Sequence, residues 1–298
     1  MKKMYFLLLI SAFGHAQINA VIKDSITGEK ISFAAITNPK LKIEMACGAE
    51  GYFEILDHDT ATINIHRVGY FPKKVKIQGL RNSIVMRPKP VPDQPKVALT
   101  GTKQARTGRV RREISRFSKG IMYDMPTVVA KYFPYKEKYE KTPYVNTVSY
   151  CISSESNNII YRLRVFDVNP DGSPGDDLLS DDLLIAAEKG QSTVDADFSE
   201  KGIRIGPGGI FVGIEVIAVA QNSTVLKHKP KNPLTAEDRE LPHKFFQPAF
   251  LGDAKNTGTL WLFQDGKWVH RTEKISHDSP SGRFYELNSP YIELTLTN

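Results

Sequence analysis

Cysteine is almost missing from this 298-residue chain, which holds only Cys47 and Cys151. Two thiols can build neither a disulfide framework nor a four-thiolate zinc site. Tryptophan is equally scarce, at Trp261 and Trp268. No apolar run approaches the ~20 residues of a membrane-spanning helix. There is no Gly-x-Ser-x-Gly nucleophile elbow, and neither cysteine has a histidine close by in sequence to activate it. The run Gly206-Pro207-Gly208-Gly209 leads into a strand pattern rather than a helix N-terminus, so it is not a phosphate cradle. These absences point away from catalysis, and no enzymatic activity is expected.

What is present reads as a soluble globular protein, 41% hydrophobic and 24% charged, long enough for one large or two ordinary domains. Residues 1–16 have the make-up of a secretory leader. Lys2 and Lys3 precede the apolar stretch Tyr5–Ile10, and Gly14-His15-Ala16 supplies small residues before a cut at Gln17. Gln17 rather than Cys follows, so no lipid anchor is expected. Export to the periplasm, the outer membrane or the extracellular space is the expected address. The two cysteines, falling in different domains, are expected to be buried thiols rather than a cross-link.

Beyond the leader the periodicity is two, not 3.6. Ile18, Ala20 and Ile22 alternate with Asn19, Val21 and Lys23. Ile31–Thr37 is a β-branched run, and Tyr52–Ile55, Ile63–Ile65, Val75–Ile77 and Ser83–Met86 continue the pattern. Six or seven short strands in about 70 residues describe a small β-sandwich. After it, Val145–Cys151, Ile159–Val168, Leu183–Ala187, Thr193–Asp197, Ile210–Ala218, Leu260–Phe263, Lys267–His270 and Tyr291–Leu296 form a second set. In one strand Ile210, Val212, Ile214, Val216 and Ala218 share a face, which makes it a central strand. Residues 219–257, polar and proline-rich, read as one long loop. The expected fold is all-β: a small seven-stranded transthyretin/Ig-like sandwich over 17–89, a Pro-rich basic linker over 90–122, and a larger jelly-roll-like sandwich over 123–298.

Particular residues carry a family resemblance. Ile18-Asn19-Ala20-Val21-Ile22-Lys23-Asp24, then Thr27-Gly28-Glu29-Lys30-Ile31-Ser32-Phe33-Ala34-Ala35-Ile36, with Gly51-Tyr52-Phe53 and Val68-Gly69-Tyr70, resemble the carboxypeptidase regulatory-like domain. The resemblance covers residues 17–89 and implies a transthyretin-like sandwich of the kind common in exported proteins of Bacteroidetes-type bacteria. It implies no activity, because that domain is an accessory in carboxypeptidases. The pair His270 and Glu273 has metallocarboxypeptidase spacing but lacks a third ligand, and is read as coincidence. The segments Tyr161–Asp167, Pro174–Leu179 and Gly209–Glu215 resemble uncharacterised sandwich domains that follow such modules. A receptor with a 22-stranded barrel, in which regulatory-like domains often stand first, would need far more chain.

Charge is concentrated. The formal balance is +7, and +5 once Lys2 and Lys3 are removed, whereas Lys103–Lys119 alone carries +6. Within it Val110, Ile114, Phe117 and Ile121 recur at helical spacing. A basic amphipathic helix bearing Arg109, Arg111, Arg112 and Arg116 would suit an anionic membrane surface, and a solvated basic linker is the plainer alternative. Nucleic acid is not expected as a partner of an exported chain without a recognition motif.

Two further groups have ligand chemistry. Asp167, Asn169 and Asp171, followed by Gly172, open like a calcium loop, but position 12 is Leu178 and no helices flank it, so a polar turn is the competing reading. The Asp265-Gly266 turn sets Trp261 opposite His270 and Phe263 opposite Trp268 on one face of a hairpin. That face is either sandwich core or a platform on which sugar rings stack. The sequence thus supports an exported, non-catalytic binding, adhesion or scaffold protein of the cell envelope. The alternative is a carbohydrate- or polymer-binding accessory protein that takes a glycan or another envelope component on the aromatic face.

Overall fold

The structure is a computed structural model that describes residues 17–56, 61–78, 80, 82–90, 99–110, 120–227, 242–253, 259–271 and 289–298. Among these the protein is all-β, with three 3-10 turns and no α-helix. Residues 1–16, read above as a leader, and the proline run from 91 to 98 lie outside them.

The first seven strands are β1 Gln17–Asp24, β2 Ala35–Asn38, β3 Ile43–Ala46, β4 Tyr52–Leu56, β5 Thr62–His66, β6 Lys73–Lys76 and β7 Asn82–Met86. They form a three-stranded sheet ordered β4-β1-β7 and a four-stranded sheet ordered β3-β2-β5-β6. The pleat sends Ala20, Ile22, Phe53, Ile55, Ile84 and Met86 from one sheet against Ile36, Ile63 and Ile65 from the other. Ile31–Thr37 is not one strand, since pairing begins only at Ala35. Residues 32–33 turn instead, with Phe33 at φ +54.

The larger sandwich begins with β8 Gln104–Gly108, β9 Gly120–Tyr123, β10 Thr127–Phe133, β11 Tyr144–Ser154, β12 Ile159–Val168, β13 Pro174–Asp177, β14 Leu184–Ala187 and β15 Gly190–Asp197. It continues with β16 Ile210–Val216, β17 Ser223–Lys227, β18 Pro242–Asp253, β19 Leu260–Gln264, β20 Lys267–His270, β21 Ser289–Pro290 and β22 Ile292–Thr297. One sheet runs β13-β12-β16-β10-β19-β20, with β14 also on β12. The other is centred on β11, β18 and β22. The chain passes between the sheets from β10 to β11 to β12 and again from β15 to β16 to β17. Tyr161, Leu163, Val165, Ile210, Val212 and Ile214 meet Val148, Tyr150, Ile152, Ile292 and Leu294 in the core.

Two stretches differ from the sequence reading. The span 90–122, read as linker, contributes β8 to the edge of β22 and β9 to β18. Its charges had obscured the short alternation of Gln104–Gly108, in which Ala105 turns inward and Arg106 pairs opposite Thr295. Ile121 therefore lies in a strand, not on a helical stripe; Arg111, Arg112 and Arg116 lie outside the described residues. The span 219–257, read as loop, holds β17 and β18. Pro242 and Pro248 masked a strand that buries Phe246, Phe250 and Leu251.

Candidate functional site

β12 explains where the two sandwiches meet. Its odd-numbered residues point into the larger core, so Ile160, Arg162, Arg164 and Phe166 point out of the sheet. On the neighbouring β16, Phe211, Gly213 and Glu215 do the same, and on β10 Val128, Ala130 and Tyr132. An outer face with two arginines should be wet. Instead Arg162 is 0% exposed and Arg164 4%, because the small sandwich sits on them.

The seam is a balanced ion cluster. Arg162 Nε lies 2.6 Å from Asp182 Oδ1, and its Nη1 lies 2.9 Å from Glu215 Oε1. Arg164 pairs with Asp177. From the small sandwich Arg67 Nη2 reaches Asp182 Oδ1 at 2.9 Å. Three guanidinium groups thus face three carboxylates, which is the condition for tolerating buried charge. The Phe33 turn completes the contact: Arg162 Nη2 donates to the Ser32 carbonyl at 2.9 Å and Arg67 Nε to the same oxygen at 3.3 Å. Burial pushes the Asp182 carboxyl up, but Arg67, Arg162 and Arg164 outweigh it and hold the group below the usual carboxylate value. Burial lowers both Arg162 and Arg164.

Apolar contacts flank the ions. On one side Phe33 and Ala46 pack on Ile217, and the Ala46 amide donates to the Ala218 carbonyl at 2.8 Å. On the other, Val68 joins Val128, Phe166 and Phe211 together with Trp261, Phe263 and Trp268.

The aromatic hairpin has the expected register, Trp261 opposite His270 and Phe263 opposite Trp268. Asp265 and Gly266 both have positive φ, +48 and +77, as a type I′ turn requires. Leu260 and Leu262 take the core face, leaving the aromatic face outward and half-buried. The four residues then divide. Phe263 and Trp268 turn toward the seam: Phe263 is edge-on to His66 at 6.3 Å and Trp268 edge-on to Phe166 at 5.1 Å. Trp261 and His270 stack on each other at 4.6 Å with 14° between planes. The hairpin tip presses on His66, since a Cβ at Gly266 would lie 2.4 Å from His66 Cε1. Burial holds the His66 imidazole below its ordinary value, with Asp265 opposing and Lys74 assisting.

The remaining candidates lie apart. Asp167, Asn169 and Asp171 stand at the β12–β13 turn. There the Asp171 carboxylate accepts from the Ser173 amide and hydroxyl, and the Asn169 side chain donates to the Pro174 carbonyl. No cluster of three or more His, Cys, Asp or Glu side chains suited to a metal occurs among the described residues. The Arg109 guanidinium lies 5.9 Å from the centre of the Tyr291 ring. Cys47 and Cys151 are both buried and are not joined to each other by a disulfide.

No known family matches the chain, and no curated protein is similar to it in sequence.

The seam residues Arg67, Arg162, Arg164, Asp177, Asp182 and Glu215 were not singled out by sequence reasoning. A signal existed for three of them. Arg162 and Arg164 alternate with Tyr161, Leu163 and Val165, and Glu215 interrupts the apolar strand Ile210–Ala218. Charge at every second position of a strand apolar on its other face marks a surface, and burial of that surface requires a covering partner. Arg67, Asp177 and Asp182 lie in turns or at strand ends, where charge is ordinary.

Proposed function

We propose that the protein is an exported, non-catalytic module of the cell envelope that binds, adheres or scaffolds through the combined surface of its two sandwiches. The observation that carries this reading is the seam. Arg67, Arg162 and Arg164 against Asp177, Asp182 and Glu215 hold the small sandwich to the larger in one register, which favours a rigid display unit over two tethered modules. The leader-like residues 1–16 supply the export half of the proposal, with the regulatory-like resemblance of 17–89 behind it.

Cell fractionation with mass spectrometry tests the address. The expected result is a chain beginning at Gln17 in the periplasmic, outer-membrane or secreted fraction. An uncut chain in the cytoplasm would overturn the reading. Retention of the mature protein on anionic liposomes, lost at high salt and on neutralising Arg109, Arg111, Arg112 and Arg116, would add a surface role for the basic segment. Retention that ignores salt would remove it.

A second reading, a carbohydrate- or polymer-binding accessory protein, is favoured by the outward, half-buried aromatic face and by the Trp261–His270 stack. Binding to immobilised oligosaccharides tests it. Failure of the folded mature chain to bind any of them would reject it.

A further inference from the structure

We propose that the cleft at the seam, walled by Phe166, Phe263 and Trp268 and faced by His66 and Lys89, receives the terminal neutral sugar of a glycan end-on. This rests on the carbohydrate-binding reading and assigns it a seat and a ligand class that the flat hairpin face does not.

The cleft has a volume of about 100 Å³. That is less than the ~150 Å³ cavity that takes up a benzene ring, so it admits the leading edge of one ring and not a chain lying along it. One wall is aromatic, with Trp268 set edge-on to Phe166 and tilted against Phe263 at 5.1 Å between ring centres.

The inner end is polar and unsatisfied. Both ring nitrogens of His66 are buried and lack a hydrogen-bond partner among the described residues, although a neutral imidazole has one donor and one acceptor to place. A hollow of about 30 Å³, sharing His66 and Phe263 with the cleft, continues toward Thr37 and Glu215. Thr37 Oγ1 and Glu215 Oε2 also lack hydrogen-bond partners. The hollow is large enough for one water, which would link these oxygens to a hydroxyl in the cleft.

A sugar ring has an apolar face for the aromatic wall and hydroxyls around its rim for the polar end. An aromatic side chain from a peptide would cover the wall and leave the polar atoms bare, at the full cost of their desolvation.

The charges select a neutral sugar. Arg67 is matched by Asp182 and Arg164 by Asp177, and Lys89 lies 3.4 Å from Asp176 at the mouth. Among the described residues, no cation lining the cleft is left over for a uronate or sulfate.

The test uses the mature chain and immobilised neutral oligosaccharides (gluco-, xylo-, manno- and N-acetylglucosamine series) beside polygalacturonate, with Kd measured for each ligand bound. A neutral oligosaccharide is expected to bind, and Trp268→Ala to weaken it at least tenfold. Because Trp268→Ala can loosen the seam, Lys89→Trp provides a second variant, placing bulk at a partly exposed position in the mouth. It is expected to weaken binding at least tenfold with an unchanged melting curve. Binding lost in Trp261→Ala but kept in Trp268→Ala and Lys89→Trp would overturn the cleft and leave the flat platform standing. Preference for polygalacturonate would overturn the neutral assignment. Binding to none of the ligands would overturn the carbohydrate reading and the cleft together.

Discussion

The sheet that carries β12, β16 and β10 buries both of its faces, and the two are held by opposite means. Its inner face is mainly apolar, built from Leu163, Val165, Val212 and Ile214, with the Tyr150–Tyr161 hydroxyl contact at 2.8 Å and the Lys131 ammonium donating to the Pro290 carbonyl at 2.8 Å as its polar contacts. Its outer face buries Arg162, Arg164 and Glu215 under the small sandwich. An apolar interface tolerates exchange among residues of similar volume, whereas an ionic one works only when every partner is in place. The inner face therefore determines that the larger sandwich forms. The outer face determines where the small sandwich sits.

The largest expected effect comes from removing one ion. Arg162→Ala leaves Glu215 without a buried partner and takes one from Asp182, and should cost about 3–5 kcal/mol in denaturant unfolding. Replacing Arg162, Asp182 and Glu215 together by apolar residues of similar volume should cost less than Arg162→Ala alone. If the single change costs under about 1 kcal/mol, the two faces are not held differently. Next, Leu262→Ala on the inner face should cost about 2–5 kcal/mol through the cavity it opens. Its effect should not change with salt; a salt-dependent loss would blur the contrast.

Gly266→Ala is smaller, about 1–3 kcal/mol, because it adds a Cβ at positive φ and drives it into His66. Small-angle scattering should show the sandwiches shifting apart before either unfolds. An unchanged profile and melting curve would mean that the hairpin tip does not seat the small sandwich.

The smallest effect is in pH. The His66 value is lowered in the docked state by burial, with Asp265 raising it and Lys74 lowering it, so the undocked or unfolded state binds the proton more readily. Stability should thus be full above the ordinary histidine value of about 6.5 and fall as pH drops below it toward the lowered one. His66→Gln should flatten that slope in unfolding curves taken from pH 7 to pH 5. A slope unchanged by the substitution would place its cause elsewhere.

Much of the fold is legible because strands announce themselves by alternation. Ile159–Val168 and Lys267–His270 have the same bounds in sequence and structure, and the Asp265-Gly266 turn brings Trp261 and Phe263 to their partners. Legibility fails where a strand lacks an apolar face, as in Gln104–Gly108, or hides between prolines, as in Pro242–Asp253. The site was half legible. Hairpin register follows from turn chemistry, which is local. That Phe263 and Trp268 face a second sandwich while Trp261 and His270 face outward depends on Arg67 and the Phe33 turn, about 100 and 130 residues distant from β12. No local pattern encodes such a meeting.

The pairing of β8 with β22 has a consequence for the order of events. Thr297 donates its hydroxyl to the Lys103 carbonyl across 194 residues, and the Asn298 side chain accepts from the Lys103 amide. In a chain delivered N-terminus first, the small sandwich has all its strands once Met86 has emerged. The larger one waits for β22, Ile292–Thr297. Contacts so distant in sequence close slowly. Arg67 lies in that first part, whereas Arg162, Arg164, Asp177, Asp182 and Glu215 all belong to the larger sandwich. The order along the chain thus puts a complete small sandwich, the lid of the seam, ahead of the face that it covers.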